Sequence, residues 1–482
     1  LVILAREADL FHTADETAYA DVKVKDHRET LSVRQKGFRR WLTREFYIAT
    51  GGDAPGSEAL KRALGIVEAR AHIDGPERTV SVRCAGADGK IYIDLCNNLW
   101  QCIEIDADGW RVVSDPPVRF RRAAGMMALP EPVRGGSIEA LRSFLNVQSE
   151  SAWVLTIAWI VAAMRPTGPY PLLILAGEQG SAKSSFATIL RALVDPNVAA
   201  IRSMPREDRE LFIAANNAHM LAFDNVSGVA AWMSDTLCRL STGAGFSTRT
   251  LFSDSDETIL ESSCPMVLNG IEDFVTRPDL ADRAIFLTLE PIPEERRRPE
   301  SELKAAFEIE RPKILGALLD AVSMGIKMLP TTKLPRLPRM ADFALWVTAF
   351  ESALWPAGTF SAAYDANRDD IVGTVLEADA VAMAIRQLME GTGAWSGTAT
   401  ELLKALNKIV GEKASAAKTW PDNPRTLAGK LRRAAPVLRK VGVDVQWPKA
   451  RTISITRADG PEQPRPGDST DGTETDRPEG DS

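Results

Sequence analysis

The sequence predicts an α/β protein with a mainly parallel β-sheet at its core, preceded by an α+β region and followed by helices and a small basic domain. Apolar runs alternate with amphipathic helical patterns over residues 165–295, which is typical of a parallel sheet covered by helices. In the first of these units an apolar run from Leu172 stops at Gly177. A loop of small residues then leads through Lys183 and Ser184 into an amphipathic run, which completes the phosphate-loop pattern.

The loop residues predict a nucleotide site at a helix N-terminus, where backbone N–H groups and the helix dipole favour anions. Lys183 would reach the outer phosphates, and the Ser184 hydroxyl would bind Mg²⁺. The predicted nucleotide-binding residues are Gly177, Glu178, Gln179, Gly180, Ser181, Ala182, Lys183, Ser184 and Ser185. Ala182 departs from the pattern, which has Gly before the Lys. Because Ala loses the freedom to adopt positive φ, we expect this residue in ordinary helical space.

Composition limits the other possibilities. The chain has 482 residues, 45% of them apolar, and a net charge of −7, so any nucleic-acid surface must be local. Five scattered cysteines and four histidines predict neither disulfides nor a zinc site. The apolar run from Trp153 to Met164 is too short to span a bilayer. We therefore expect a cytoplasmic protein with no membrane segment.

The pattern along the chain predicts five regions: an α+β accessory domain (1–136), the nucleotide-binding core (137–298), a helical domain (299–394), a basic domain (395–457) and a disordered acidic tail (458–482). In the accessory domain we expect two helices, the second capped by Ser57, and four strand-like runs separated by two Ala-Asp-Gly turns, the first of them Val80–Arg83. A helical segment from Ser137 to Met164 would lead into the core. The accessory domain contains no catalytic constellation.

Two further apolar runs of the core end in polar side chains. Asp224 ends the first and would help to hold Mg²⁺ opposite Ser184, although a carboxylate that caps a turn is the simpler alternative. Asn225 follows where many ATPases have a second carboxylate, and an amide cannot accept a proton. The base would then come from elsewhere, with three acids as open candidates, or hydrolysis would be slow. These acids are Glu178, Asp208 and Glu210.

Asn269 ends the second run and would orient the attacking water, or else cap the turn before Gly270. Arg283 precedes the next apolar run and would reach the active site of a neighbouring subunit, where it would stabilise transition-state charge. Arg277 is the alternative for this role, and a surface ion pair between Asp282 and Arg283 is the simpler interpretation.

Four segments together resemble superfamily 3 helicases, and most closely the phage and plasmid primase-helicases related to the poxvirus type. These segments are residues 172–185, 221–225, 239–249 and 267–269. The resemblance implies a P-loop NTPase core of the AAA+ type, which binds ATP and Mg²⁺ and assembles into a homo-hexameric ring on single-stranded DNA, with a primase as a further partner. It also places Arg249 near the pore, where this residue could contact phosphates; a solvated loop is the alternative.

The basic domain is interpreted independently of that resemblance. Residues 395–457 contain 13 Lys and Arg against four acids, and two helices followed by two strands give a winged-helix outline. The second helix carries the predicted DNA-binding residues Arg425, Lys430, Arg432 and Arg433. A solvated helix face or a module that packs within the ring would explain the same charges.

Taken together, the sequence predicts an ATP-dependent DNA helicase or translocase of phage or mobile-element replication. Asp224, Asn269 and Arg283 are its predicted catalytic residues, and Ser184 with Asp224 its metal ligands. The first alternative is an ATP-binding, DNA-associated regulator in which the nucleotide switches assembly with little hydrolysis, as Asn225 would allow. The second is a ring with a structural role only.

Overall fold

The chain forms two compact units, Leu1–Ile371 and a second one that begins at Val372. The computed structural model describes residues 1–243, 246–249, 257–260, 263–271, 277–415, 417, 420–449 and 452–457. The predicted acidic tail, residues 458–482, lies outside these ranges.

The first unit opens with an antiparallel meander of strands β1 (Asp9–His12), β2 (Ala18–Val24) and β3 (His27–Ser32). Helices α1 (Lys36–Thr50) and α2 (Ser57–Ile73) pack against it through a core of apolar side chains. Ser57 is the first helical residue of α2, and the cap position belongs to Gly56 with no side-chain bond, so the predicted serine cap is wrong.

A second group of strands follows: β4 (Val80–Ser81), β5 (Cys84–Ala87), β6 (Lys90–Asp94), β7 (Cys102–Asp106), β8 (Gly109–Val113) and β9 (Arg119–Phe120). Strands β5 to β8 form an antiparallel sheet whose hairpins turn at the two predicted Ala-Asp-Gly sites. The strand expected over Val80–Arg83 ends at Ser81, because Arg83 has a φ of 66° in the left-handed region.

The core contains a five-stranded parallel sheet, which confirms the predicted α/β class with a parallel sheet. Its strands lie in the order Arg202–Ser203, Leu221–Val226, Met266–Gly270, Leu172–Ala176 and Ala284–Thr288. The elements in chain order are a 3-10 helix (Ile138–Phe144), α3 (Glu150–Ala163), β10 (Leu172–Ala176), α4 (Lys183–Val194), β11 (Arg202–Ser203), α5 (Asp208–Asn216), β12 (Leu221–Val226), α6 (Ala231–Thr242), β13 (Phe246–Arg249), β14 (Glu257–Leu260), β15 (Met266–Gly270), α7 (Pro278–Ala281) and β16 (Ala284–Thr288). The segment predicted as helical from Ser137 to Met164 is therefore two helices with a non-helical stretch between them.

Helices α8 (Glu300–Met328), α9 (Ala341–Glu351) and α10 (Thr359–Ala378) come next. In the part of the chain described, Glu300–Thr331 is long and apolar enough to span a membrane, but half of its apolar stretch is buried within the fold. The Trp110 indole donates a hydrogen bond to Asp320 at 2.8 Å, and Ser323 donates one to the Asp106 carbonyl at 2.6 Å. The antiparallel sheet thus packs directly on α8, which is a core helix of the first unit.

The second unit contains α11 (Ala380–Thr392), β17 (Ala394–Gly397), α12 (Ala399–Ser415), α13 (Pro424–Lys440), β18 (Val443–Lys449) and β19 (Thr452–Arg457). Its antiparallel sheet has the order β17-β19-β18. Strand β17 was not predicted. It is four residues long and pairs antiparallel with β19, from Ala394 with Thr456 to Gly397 with Ile453. Because these partners lie 56 to 62 residues downstream, no local pattern marks the strand.

A buried ion pair joins the antiparallel sheet to the parallel core. The Arg83 guanidinium contacts the Asp195 carboxylate at 3.0 Å, and both side chains are fully buried. The second carboxylate oxygen of Asp195 accepts hydrogen bonds from the backbone N–H groups of His219 and Met220 at 3.0 and 3.2 Å. Burial opposes ionisation of Asp195, but Arg83 and Arg191 hold its pKa below the usual value.

Substitution of Asp195 by Asn should lower the free energy of unfolding by about 3–5 kcal/mol, because Arg83 and Arg191 would keep buried charges with no counter-ion. Urea unfolding followed by circular dichroism measures this loss. The matched control is Glu68→Gln, which breaks the ion pair of Glu68 with Arg34, a side chain 79% exposed, and should cost less than about 1 kcal/mol. Equal losses in the two variants would contradict a structural role of the buried pair.

Candidate nucleotide-binding site

The predicted phosphate loop lies between the carboxyl end of β10 and the first turn of α4. Gly177 has a φ of 146°, and a Cβ at this position would lie 2.3 Å from the Leu289 carbonyl oxygen, so only glycine fits. The loop is fixed from outside as well. Ile292 donates its N–H to the Gly180 carbonyl at 3.1 Å, which attaches the loop to the segment after β16.

Ala182 does not occupy ordinary helical space as predicted. It has φ 61° and ψ 29°, a left-handed conformation, at the position just before the first residue of α4. Left-handed backbone costs an L-residue with a Cβ about 1–2 kcal/mol. The pattern's glycine therefore reflects a conformational requirement that still exists here and that this chain meets with a strained alanine.

The Lys183 side chain folds back over the loop. Its Nζ donates to the carbonyl oxygens of Gly177 at 2.6 Å and Glu178 at 2.8 Å, and to the Ser181 hydroxyl at 3.2 Å. Burial lowers the pKa of Lys183, and the Asp224 carboxylate opposes this shift. The ammonium group and the first N–H groups of α4, which have no intrahelical acceptor, thus face the same loop and give it a positive potential suited to phosphate.

Asp224 and Asn269 meet beside this loop, as the sequence pattern suggested. Their strands β12 and β15 are neighbours in the parallel sheet, so both side chains leave the carboxyl edge of the sheet together. The Ser184 hydroxyl donates to one oxygen of Asp224 at 2.9 Å, and the Asn269 amide donates to the other at 3.3 Å. The Asn269 side chain is fully buried, and its amide oxygen has no hydrogen-bond partner among the described residues.

These oxygen atoms fit a magnesium ion. The Ser184 hydroxyl and the Asp224 carboxylate are hard oxygen ligands, and Mg²⁺ typically takes one or two such protein ligands and completes its shell with water and phosphate oxygens. No cluster of three or more His, Cys, Asp or Glu side chains with metal-binding geometry occurs in the described ranges. A site that shares its ion with a polyphosphate does not require one.

Asn225 lies in an irregular part of β12, where the register with β15 shifts between Phe223 and Val226. Its φ is 54°, and its backbone N–H donates to the Asp224 carboxylate at 2.9 Å. Asn tolerates left-handed backbone better than most residues. Its exposed side chain carries no carboxylate, so the structure supplies no proton acceptor at this position.

Arg283 lies at the opposite edge of the sheet. It precedes β16, whose first residue Ala284 is in register with Leu172 at the start of β10, whereas the phosphate loop follows the end of β10. One strand of five residues, about 16 Å long, therefore separates Arg283 from the loop of its own chain. Its guanidinium donates to the Asp279 carbonyl at 2.7 Å, and its Nε is buried without a partner in the described structure. The alternative, Arg277, is paired with Asp235 and Asp279.

Two residues near the loop escaped prediction from the sequence. The Asn146 amide donates to the carbonyls of Ser181 at 3.0 Å and Glu290 at 2.7 Å, and so joins the loop to the end of the sheet. The Arg297 guanidinium lies 3.4 Å from the position of a Cβ on Gly180 and is a second cation beside the loop. The run of three arginines at 296–298 was the available signal for it, while nothing local marks Asn146.

The predicted DNA-binding residues belong to two other elements, β13 and α13. The backbone of Arg249 ends β13, which pairs with β14, and the description does not extend to its side chain. In the second unit, Arg425, Arg432 and Arg433 are exposed on α13, and Lys430 is half-buried. The Arg432 guanidinium lies 5.9 Å from the centre of the Trp447 ring on β18.

Comparison with known proteins gives two matches to family models. The model of the actinomycete integrative conjugative element (AICE) replication protein matches residues 138–373, and that of the AICE RepA C-terminal domain matches residues 381–470. Together they cover well over half of the chain. No protein of curated function matches.

Solved structures similar to the chain include the NrS-1 C-terminal region in its apo A form, with 13% identity over 95% of this chain and 98% of the other and a TM-score of 0.42. Another is described as SCCmec type IV Cch, an active helicase, with 11% identity over 93% of this chain and 92% of the other and a TM-score of 0.47.

The conformation of Ala182 predicts an unusual effect of glycine. Ala182→Gly removes strain of about 1–2 kcal/mol and adds about 0.5–1 kcal/mol of unfolded-state entropy, so the free energy of unfolding should stay constant or rise by up to about 1.5 kcal/mol. The matched control is Ala305→Gly, at an exposed position within α8, which should lower it by about 1 kcal/mol. Urea unfolding compares the two. A loss of similar size in both variants would rule out left-handed backbone at Ala182.

Proposed function

Because the chain belongs to the RepA family of AICE replication proteins, we propose that it is an ATP-dependent translocase of mobile-element DNA replication that acts in the cytoplasm as a ring on single-stranded DNA. The observation that carries this proposal is the cluster of Ser184, Asp224 and Asn269 beside Lys183 at the carboxyl edge of the parallel sheet. In this proposal Lys183 is the phosphate-binding group, and the hydrogen-bonded set of Ser184, Asp224 and Asn269 supplies the metal-binding and water-orienting groups.

In this proposal the loop N–H groups and Lys183 bind the phosphates of ATP. Lys183 then exchanges its bonds to the Gly177 and Glu178 carbonyls for bonds to phosphate oxygens. Ser184 and Asp224 hold Mg²⁺, which neutralises phosphate charge when it is bound. The free amide oxygen of Asn269 accepts a hydrogen bond from the attacking water and orients it.

Arg283 acts on a neighbouring subunit in this proposal. Its position at the amino edge of the sheet prevents it from reaching the loop of its own chain. In a closed ring of identical chains, heterologous interfaces bring one surface of each subunit against a different surface of the next. Arg283 would then complete the neighbour's site, as the resemblance to superfamily 3 helicases implies for a hexamer.

The second unit would contribute DNA contacts. Its order of helix, strand, two helices and two strands, with β17 paired to β19, supports the proposal of a winged helix. Arg425, Arg432 and Arg433 are exposed on α13, which also carries Lys430, and we propose that these side chains contact the DNA backbone. A primase is a further partner that fits a replication role.

One observation favours the alternative function. Asn225 is exposed and adjacent to Asp224, where a carboxylate would serve as the base, so ATP could act mainly as a switch of assembly on DNA. The two functions differ in one measurable property, which is whether single-stranded DNA stimulates turnover of bound ATP.

ATP turnover with and without single-stranded DNA tests the proposal. Wild type should show stimulation, and Lys183→Ala should lower ATP affinity about 10- to 150-fold, because a charged hydrogen-bond donor to phosphate contributes about 1.5–3 kcal/mol. Asn269→Ala should keep ATP binding and lower turnover about 100-fold. Lys23→Ala, at an exposed lysine on β2, is the control. ATP binding by wild type without any stimulated turnover would refute the translocase and favour the switch.

A mixing experiment tests Arg283. Chains with Arg283→Ala and chains with Lys183→Ala should each be inactive alone, since each ring would lack one half of every shared site. Mixed rings should regain part of the turnover, because some interfaces would join an intact loop to an intact Arg283. An active Arg283→Ala ring, or inactive mixtures with confirmed subunit exchange, would remove Arg283 from the shared site.

A further inference from the structure

Helix α1 presents a basic, partly aromatic face to solvent in a region that neither family model covers, since the first match begins at residue 138. A groove of about 590 Å³ runs along this face beside α2. Its lining consists of Lys36, Arg39, Arg40, Thr43, Arg44, Tyr47 and Leu60. We call the set of Lys36, Arg39, Arg40, Arg44 and Tyr47 the α1 basic face.

Few acidic side chains pair with the cations of this face. Lys36, Arg39 and Arg40 are exposed, and no ion pair to any of them occurs in the described structure. Arg44 pairs with Glu45 at 2.9 Å, a neighbour on the same helix, and it is 59% exposed. An exposed pair of this kind leaves most of the field of the guanidinium available to a ligand.

The row of cations on α1 does not stabilise the helix. Lys36 and Arg40 are four residues apart, as are Arg40 and Arg44, and like charges at this spacing destabilise a helix. The first turn of α1 has no acidic residue, although the positive end of the helix dipole disfavours cations there. The opposite side of α1 holds the helix in place, because Phe38, Trp41 and Leu42 are buried in the core.

The face matches a polyanion in size. Lys36 to Arg44 spans about 12 Å along the helix axis, over which a stacked strand of DNA presents about three or four phosphates and an extended strand fewer. Tyr47 lies at the end of this row and is 57% exposed. An exposed aromatic ring next to a row of cations suits a strand whose bases are free to stack.

We propose that the α1 basic face binds single-stranded DNA, with the four cations on the phosphates and the Tyr47 ring under a base. The identity of the ligand follows from charge complementarity, the aromatic ring and the membership of the chain in a family of replication proteins. The face is independent of the phosphate loop and of α13, so the inference does not depend on the proposed ATP-driven activity.

The experiment measures binding of a fluorescent oligo-dT by the full chain without nucleotide, at several salt concentrations, in the Lys183→Ala background. Arg39→Gln with Arg40→Gln should weaken binding about 10-fold at 100 mM salt and reduce the slope of log affinity against log salt by about 1.4, or about 0.7 for each phosphate contact. The matched control is Arg6→Gln with Lys23→Gln, which changes the charge equally at exposed positions elsewhere. Wild-type affinity and slope in the Arg39 and Arg40 variant would overturn the proposal and leave an acidic protein as the ligand to test.

A second comparison tests the strand type. Tyr47→Ala should weaken binding of the single strand about 5- to 150-fold, since a stacked base contributes about 1–3 kcal/mol, and Tyr47→Phe should restore it. Duplex DNA should lose little affinity with Tyr47→Ala. Equal effects on duplex and single strand, or none on either, would refute stacking at this face. Because all these side chains are exposed, unfolding curves of the variants should match wild type.

Discussion

The Asp195 carboxylate is the group on which the geometry of the nucleotide site depends. Asp195 is the C-cap residue of α4, the helix that begins at Lys183, and its backbone N–H donates to the Arg191 carbonyl. Its carboxylate accepts hydrogen bonds from the N–H groups of His219 and Met220 just before β12, the strand that carries Asp224. One buried side chain thus sets the relative position of the two elements that bring Ser184 and Asp224 to 2.9 Å. Arg83 supplies the counter-charge from the antiparallel sheet, which makes that sheet part of the support of the site.

The same site contains two non-glycine residues in left-handed backbone, Ala182 and Asn225. Both lie within one residue of a group that faces the loop, Lys183 in the first case and Asp224 in the second. Strained backbone persists only where the surroundings fix it, and here Gly177, Asn146 and the buried Asp195 do so. At these two positions the geometry of the site overrides the preference of non-glycine residues for negative φ, as is expected of a functional site.

Much of the core followed from the sequence because it depends on local patterns. Apolar runs that end in Gly177, Asp224 and Asn269 become parallel strands, and the carboxyl ends of neighbouring parallel strands meet, which places the polar residues together. The prediction for the backbone of Ala182 was wrong, because a residue pattern records which side chains occur and not which φ the backbone must adopt. The ion pair of Arg83 with Asp195 and the hydrogen bonds of Asn146 could not be predicted, since the first joins residues 112 positions apart, the others join residues 35 and 144 positions apart, and no periodicity links such positions.

The net charge of −7 suggested at first that DNA contacts would be restricted, yet a phosphate responds to the charges near it and not to the sum over the chain. At 0.1 M salt the Debye length is about 10 Å, so acids elsewhere on the surface are screened from α1. The span of about 12 Å from Lys36 to Arg44 contains no acidic residue of α1, and the only acid of the helix, Glu45, follows the last of the four cations. The local potential of this face is therefore positive in a chain that is acidic as a whole, and an overall acidic charge would slow non-specific association without removing the attraction at close range.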